Sequence, residues 1–156
     1  MTWSEVPLFA TARITRTATQ AELDAAEAIL GPLPPSYRRF AEQYGAGLTN
    51  GLMIVFIPFS NPDVDLVVRG RQLMKRTQSV LSESLENGAT LGGEDCLEPY
   101  DEESQGVGPH YEELVFFAWS QNGESFAWWR RDGEYTFFSI DHTCLSVRYG
   151  GSDFSK

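Results

Sequence analysis

Leu114-Val-Phe-Phe-Ala-Trp-Ser-Gln-Asn-Gly-Glu-Ser-Phe-Ala-Trp-Trp-Arg-Arg-Asp-Gly-Glu-Tyr-Thr-Phe-Phe-Ser-Ile140 consists of three apolar runs cut by two turn signals. The runs are Leu114–Trp119, Ser125–Arg130 and Tyr135–Ile140, and the cuts are Asn122-Gly123 and Asp132-Gly133. Asn-Gly and Asp-Gly favour two-residue hairpin turns because both central residues must take positive φ. The stretch therefore reads as a three-stranded antiparallel meander. Counting outward from two-residue turns sets Trp119 against Phe126, Phe117 against Trp128, and Trp128 against Phe137. Side chains alternate along a strand, so these residues share one face. The reverse face carries Phe116, Trp129 and Thr136, then Ala118, Ala127 and Phe138. The Phe117–Trp128–Phe137 face is the richer and is expected to pack on the N-terminal helices. The other is covered by a third helix or left partly open as a binding surface.

Working outward, Cys144 to Tyr149 can add a last strand. On the N-terminal side, Ala89 to Glu113 reads as a long irregular, flexible acidic loop, with four glycines, two prolines and eight acidic residues. Loops of this length tend to be functional or mobile. Its acids do not follow the spacing of an EF-hand, so no metal site is expected. Before it, Leu66, Gly70, Leu73, Thr77, Val80, Ser84 and Leu85 recur near helical spacing, giving a helix from about Asp65 to Glu86. Asn87-Gly88 offers its stop. Arg69, Arg71, Lys75 and Arg76 crowd the first half of this helix, against the helix dipole, and read as exposed charge. Asn61-Pro62-Asp63 reads as a turn, and Leu52–Ile57 as a strand covered on both faces.

Nearer the N-terminus, Thr19-Gln20-Ala21-Glu22 has capping-box spacing and opens a helix running to about Leu30. Glu27 sits on its otherwise apolar stripe and reads as a structural carboxylate bonded to the backbone of the corner that follows. Tyr37, Phe40, Ala41 and Tyr44 share one face of a second helix, started by Pro34-Pro35 and stopped at Gly45. Met1 to Ala18 holds Trp3, Val6, Leu8, Phe9 and Ile14 without clear periodicity, which leaves tail, strand and packing arm open.

The whole, at 156 residues, is the size of one α+β domain: a mostly antiparallel mixed sheet packed by N-terminal helices and one longer mid-chain helix. Net charge is −10. Between Thr77 and Trp129 there are 11 acidic residues and no Lys or Arg, whereas the flanking stretches are close to neutral. That distribution argues against nucleic acid and anionic membrane, which need basic patches, and it permits a basic protein partner. No apolar run approaches the roughly 20 residues of a membrane helix. The N-terminal residues lack the basic and apolar regions of a signal peptide, so the expected compartment is the cytoplasm. Cys96 and Cys144 have no CxxC spacing; free thiols suit that compartment, and a disulfide stays open. His110 and His142 stand alone, and no nucleophile elbow, Walker loop or HExxH occurs, so no catalytic residue and no cofactor is expected.

Glu27, Leu30-Gly31, Leu33-Pro34, Tyr37, Phe40, Tyr44 and Gly45-Ala46-Gly47 together resemble the signature of the SUKH superfamily, the group of the cell-wall regulators and their relatives. Gly-Ala-Gly departs mildly from the family's usual closing pair. The resemblance implies an α+β domain and, since many bacterial members are immunity proteins, a non-catalytic function: neutralising a toxin by stoichiometric binding. A basic toxin domain, such as a nuclease, is the implied partner. The surface expected to meet it comprises Glu94, Asp95, Glu98, Tyr100, Asp101, Glu102, Glu103, Phe116 and Trp129. The alternatives are a regulatory scaffold, and an enzyme or small-molecule binder with a pocket between the sheet and Tyr37/Tyr44.

Overall fold

The computed structural model describes residues 16–49, 52–58, 61–86 and 97–153. Thr19 caps α1 (Gln20–Leu30) through a capping box with Glu22, as its spacing predicts. α1 buries Leu23 and Ala26 and ends at Gly31 (φ 81°). The corner residues lead into α2 (Pro35–Gln43), whose apolar face buries Tyr37, Phe40 and Ala41. A short hairpin follows, β1 (Gly47–Thr49) and β2 (Met53–Val55). β1 has no counterpart in the sequence reading, and β2 is shorter than the apolar run that foretold it. Phe56 and Ile57 leave the strand but remain fully buried.

Asn61-Pro62-Asp63 makes the expected turn: Val64 donates to the Asn61 carbonyl at 3.2 Å, and Asp63 N–H to the Asn61 side chain at 3.0 Å. α3 (Leu66–Glu86) then runs 21 residues. After it come β3 (Glu98–Pro99), two 3-10 segments (Glu102–Ser104 and Gly108–Glu113), and the strands β4 (Val115–Ser120), β5 (Ser125–Arg131), β6 (Glu134–Ile140) and β7 (Ser146–Gly151). The seven strands form one sheet in the order β1-β2-β4-β5-β6-β7-β3, antiparallel throughout except for the β3–β7 pair. The chain is thus an α+β fold with a mostly antiparallel mixed sheet.

The second hairpin keeps its expected register. Asp132 and Gly133 take positive φ (52° and 86°), and Trp128 opposes Phe137, Trp129 opposes Thr136, and Ala127 opposes Phe138. The first hairpin does not. Asn122 keeps a negative φ, and residues 121–124 form a four-residue connection closed by Ser120 N–H on the Glu124 carbonyl at 2.8 Å. Trp119 therefore faces Ser125 and Ala118 faces Phe126. A bulge between Phe116 and Ala118 then shifts the ladder again, so that Phe116 faces Ala127 and Val115 faces Trp128. Phe117, the extra residue, still stacks on Trp128, with ring centroids 5.3 Å apart. The longer turn thus moves Trp119 to the reverse face, and the bulge restores the aromatic row.

That row packs on α2, as expected. The Tyr37 ring centroid lies 4.9 Å from that of Trp128 and 6.0 Å from that of Phe117, and the Tyr37 hydroxyl donates to the Phe56 carbonyl at 2.7 Å. Burial, with Asp65 nearby, pushes the Tyr37 phenol well up. Tyr37 is fully buried there, and Tyr44 is half-buried.

α3 covers the reverse face. A Cβ at Gly70 would stand 2.6 Å from the Phe116 carbonyl oxygen, so only glycine permits this closeness of helix to strand. Of the basic residues of α3, Arg71, Lys75 and Arg76 are exposed, as expected, whereas Arg69 is half-buried. Arg69 lies over the rings of Phe56 and Trp119, at 5.6 and 5.8 Å. Arg76 donates to the His142 carbonyl at 3.3 Å. Stacking on aromatic faces offsets the unfavourable placement near the helix start. Among the described residues no helix is long and apolar enough to cross a membrane.

Candidate partner-binding surface

The segment from Leu97 to Glu113 carries most of the expected contact residues, and it is not an irregular loop. Leu97, Ser104, Val107 and Tyr111 turn inward and are buried, pinning the backbone at short intervals. Gly108 crosses so close to Leu97 that a Cβ would sit 2.2 Å from the Leu97 carbonyl oxygen. Glu98 N–H donates to Leu145 at 2.8 Å and Tyr100 N–H to Val147 at 2.9 Å, which makes β3 a parallel edge strand. Its brevity and Pro99, which has no N–H to offer, protect that edge from further strand pairing. Residues 87–96, including Glu94, Asp95 and Cys96, lie outside the described residues.

Asp101 fixes the turn that follows. Its carboxylate accepts Ser104 N–H at 3.0 Å and Tyr149 N–H at 3.0 and 3.2 Å. The Ser104 side chain and these N–H donors, with the Arg148 charge nearby, hold its carboxyl below the usual aspartate range. Asp101 is thus a structural residue that ties the acidic turn to β7. Glu98, Glu102 and Glu103 remain exposed on that frame. Tyr100 is 67% exposed, and the Arg148 guanidinium lies 3.8 Å from its ring centroid.

The other two expected contacts part company with this group. Phe116 is 1% exposed and belongs to the core, because α3 covers the reverse face on which it sits opposite Ala127. It has no surface to offer a partner. Trp129 is half-buried, and its Nε1 donates to Glu113 at 2.9 Å. The His110 ring stacks on it with centroids 5.6 Å apart, and His110 Nδ1 stands 3.0 Å from the same Glu113 carboxylate. The hydrogen bond from Trp129, with His110 and Arg131 close by, lowers the Glu113 carboxyl. Trp129 shares the α3 face with Thr136 and Phe138, whereas Arg148, paired with Ser139, projects from the α2 face. The expected surface is therefore two patches on opposite faces of the sheet.

Glu27 serves structure alone: it accepts Leu33 N–H at 3.1 Å and binds Arg38 at 2.7 Å. Cys144 is buried in the turn before β7 with φ 59°, not in a strand, and burial raises its thiol. Among the described residues no three His, Cys, Asp or Glu side chains come together to hold a metal ion. Sequence reading passed over Arg148, Glu124, Ser139 and Ser146, which lie around Tyr100. Only the cross-strand registers of β5 with β6 and of β6 with β7 could have brought them together. Comparison with protein-family models, with curated proteins and with solved structures finds no match to this chain.

Proposed function

We propose that the chain is a non-catalytic protein-binding domain of the immunity type, which neutralises a basic toxin domain in the cytoplasm by stoichiometric binding. The observation that carries this reading is the β3 edge: an exposed Tyr100 stacked with Arg148 and framed by the carboxylates of Glu98, Glu102 and Glu103. Tyrosine and arginine are enriched among the residues that dominate protein interfaces: tyrosine brings large contact area with two torsions to freeze, and arginine a planar, multi-donor fork. A surrounding ring of acids speeds encounter with a basic partner and rejects acidic ones. The net charge of −10 and the SUKH-like signature around Tyr37 support the same class.

The test is affinity capture from the native organism, followed by association kinetics over a salt series. A basic toxin domain held in one-to-one complex is the expected result, with association slowing as salt rises. Glu98→Gln, Glu102→Gln and Glu103→Gln combined should slow association, whereas Asp101 is left intact because it holds the turn. Capture of signalling proteins with no toxin would replace this reading with a regulatory scaffold. Saturable thermal stabilisation by a metabolite would replace it with a ligand-binding role.

A further inference from the structure

Tyr37 packs on the α2 face of the sheet at Phe117 and Trp128. The next row, Phe126–Ser139–Arg148, is half-buried or exposed. Beyond it the strand ends bring Glu124, Asp141, His142 and Ser146 alongside, and Tyr100 closes the side. These residues line a cleft of about 270 Å³. That is below the roughly 300–1,000 Å³ of small-molecule and cofactor sites and suits a single side chain.

The chemistry of the lining selects the occupant. Asp141 is spent on its own turn, accepting N–H groups of Ser146, Leu145 and Thr143 at 2.9, 3.0 and 3.3 Å. The Arg148 guanidinium sits over the Tyr100 ring, 3.8 Å from its centroid. Glu124 gives one carboxylate oxygen, Oε2, to the Ser120 hydroxyl at 3.3 Å, which leaves Oε1 for a ligand. Ser139 and Ser146 supply hydroxyls that can accept hydrogen bonds. Beside the His142 imidazole, the lining holds two carboxylates against one guanidinium, a balance that favours a cation over an anion.

We infer that this cleft receives a lysine side chain of the partner protein, an inference that rests on the protein-binding reading above. A lysine ammonium has three donors that point apart, matched by one carboxylate oxygen and two hydroxyls. An arginine fork favours both oxygens of a carboxylate, and one of Glu124's is taken. The Tyr100 ring gives the lysine stem an apolar wall.

The probe is the peptide acetyl-Gly-Lys-Gly-amide, titrated into the nitrogen-labelled full chain and followed by amide chemical shifts. Saturable shifts at Tyr100, Glu124, Ser139 and Ser146 are expected, and none with the norleucine counterpart. Glu124→Gln, which keeps an acceptor for Ser120, should weaken binding about tenfold or more, the loss of one charge-assisted hydrogen bond. Ser146→Ala should weaken it by less. Absent shifts, equal shifts with norleucine, or unchanged affinity in Glu124→Gln would overturn the inference. A captured basic partner that binds Glu124→Gln as tightly as the parent would overturn the cleft alone. Lysine-peptide binding with no protein partner captured would overturn the protein-binding reading alone.

Discussion

Asp101 Oδ2 accepts the backbone N–H of Tyr149 at 3.0 Å while Oδ1 caps Ser104 N–H at 3.0 Å, so one carboxylate joins the acidic turn to the last strand. No helix or long strand holds this turn; it depends on that side chain and on the buried Leu97 and Val107. Asp101→Ala takes the carboxylate from both donors, and Ser104 N–H keeps only the Asp101 carbonyl, at 3.3 Å. Hydrogen exchange should quicken at Ser104 and Tyr149 and remain unchanged at Trp128 in the meander. Asp101→Asn, which keeps an acceptor oxygen, should lie between. Equal protection in the parent and both variants would show that the apolar anchors suffice.

Gly70 faces the Phe116 carbonyl with no space for a methyl group, since a Cβ would stand 2.6 Å from that oxygen. Alanine is the better helix former by up to about 1 kcal/mol. Against that, overpacking two backbones costs about 1–3 kcal/mol. The clash wins because neither a helix nor a central strand yields cheaply. Gly70→Ala should destabilise the fold by about 1–2 kcal/mol in urea unfolding. Gly106→Ala is the control: a Cβ there meets nothing within 4 Å. Its effect should stay within about 0.5 kcal/mol.

Glu27 receives Leu33 N–H and the Arg38 guanidinium at the corner between α1 and α2. Glu27→Ala leaves both donors without that acceptor and should cost about 1–2 kcal/mol, discounted because the Arg38 pair is partly open to water. Glu27→Gln should cost less, since the amide oxygen can still take the Leu33 N–H. Adding Arg38→Ala to Glu27→Ala should cost less than the sum of the two single changes, because the residues share one interaction. Additive losses in the double-mutant cycle would deny the coupling.

Where the signal was local, the sequence was legible. Thr19 and Glu22 announce α1, the spacing of Leu66, Gly70 and Leu73 announces α3, and Asp132-Gly133 sets the β5–β6 register. The β4–β5 register was not legible. Asn122-Gly123 serves a four-residue connection as readily as a two-residue one, and a bulge leaves no mark in composition. Its consequence was the misplacing of Trp119, which stacks with Arg69 on the α3 face. The segment after Leu97 looked irregular because 3-10 turns lack the period of a helix or strand, and its anchors, Val107 and Tyr111, are sparse. The patch around Tyr100 was half legible: Glu98, Tyr100, Glu102 and Glu103 are neighbours in sequence, whereas Arg148 and Ser139 arrive only through strand pairing.

Asp141 should leave a pH signature in the stability of the fold. Burial alone would raise its carboxyl, yet the Thr143 hydroxyl and the N–H groups of Ser146, Leu145 and Thr143 outweigh burial and lower it. A carboxyl lowered on folding binds fewer protons in the native state than in the unfolded one, so stability rises with pH through that interval. The contribution is complete above roughly pH 4, the ordinary aspartate range, and is lost as pH falls through the depressed native value. Asp141→Asn removes the ionisable group and gives the Thr143 N–H a competing donor. At pH 7 the variant should be less stable by about 1–2 kcal/mol in urea unfolding. The gap should narrow as the pH falls below the ordinary aspartate range and through the depressed native value, beyond which the parent carboxyl is protonated as well. A constant gap from neutral to acid would mean that the carboxylate charge contributes nothing to this turn, and that the geometry of its acceptor oxygens is all that matters.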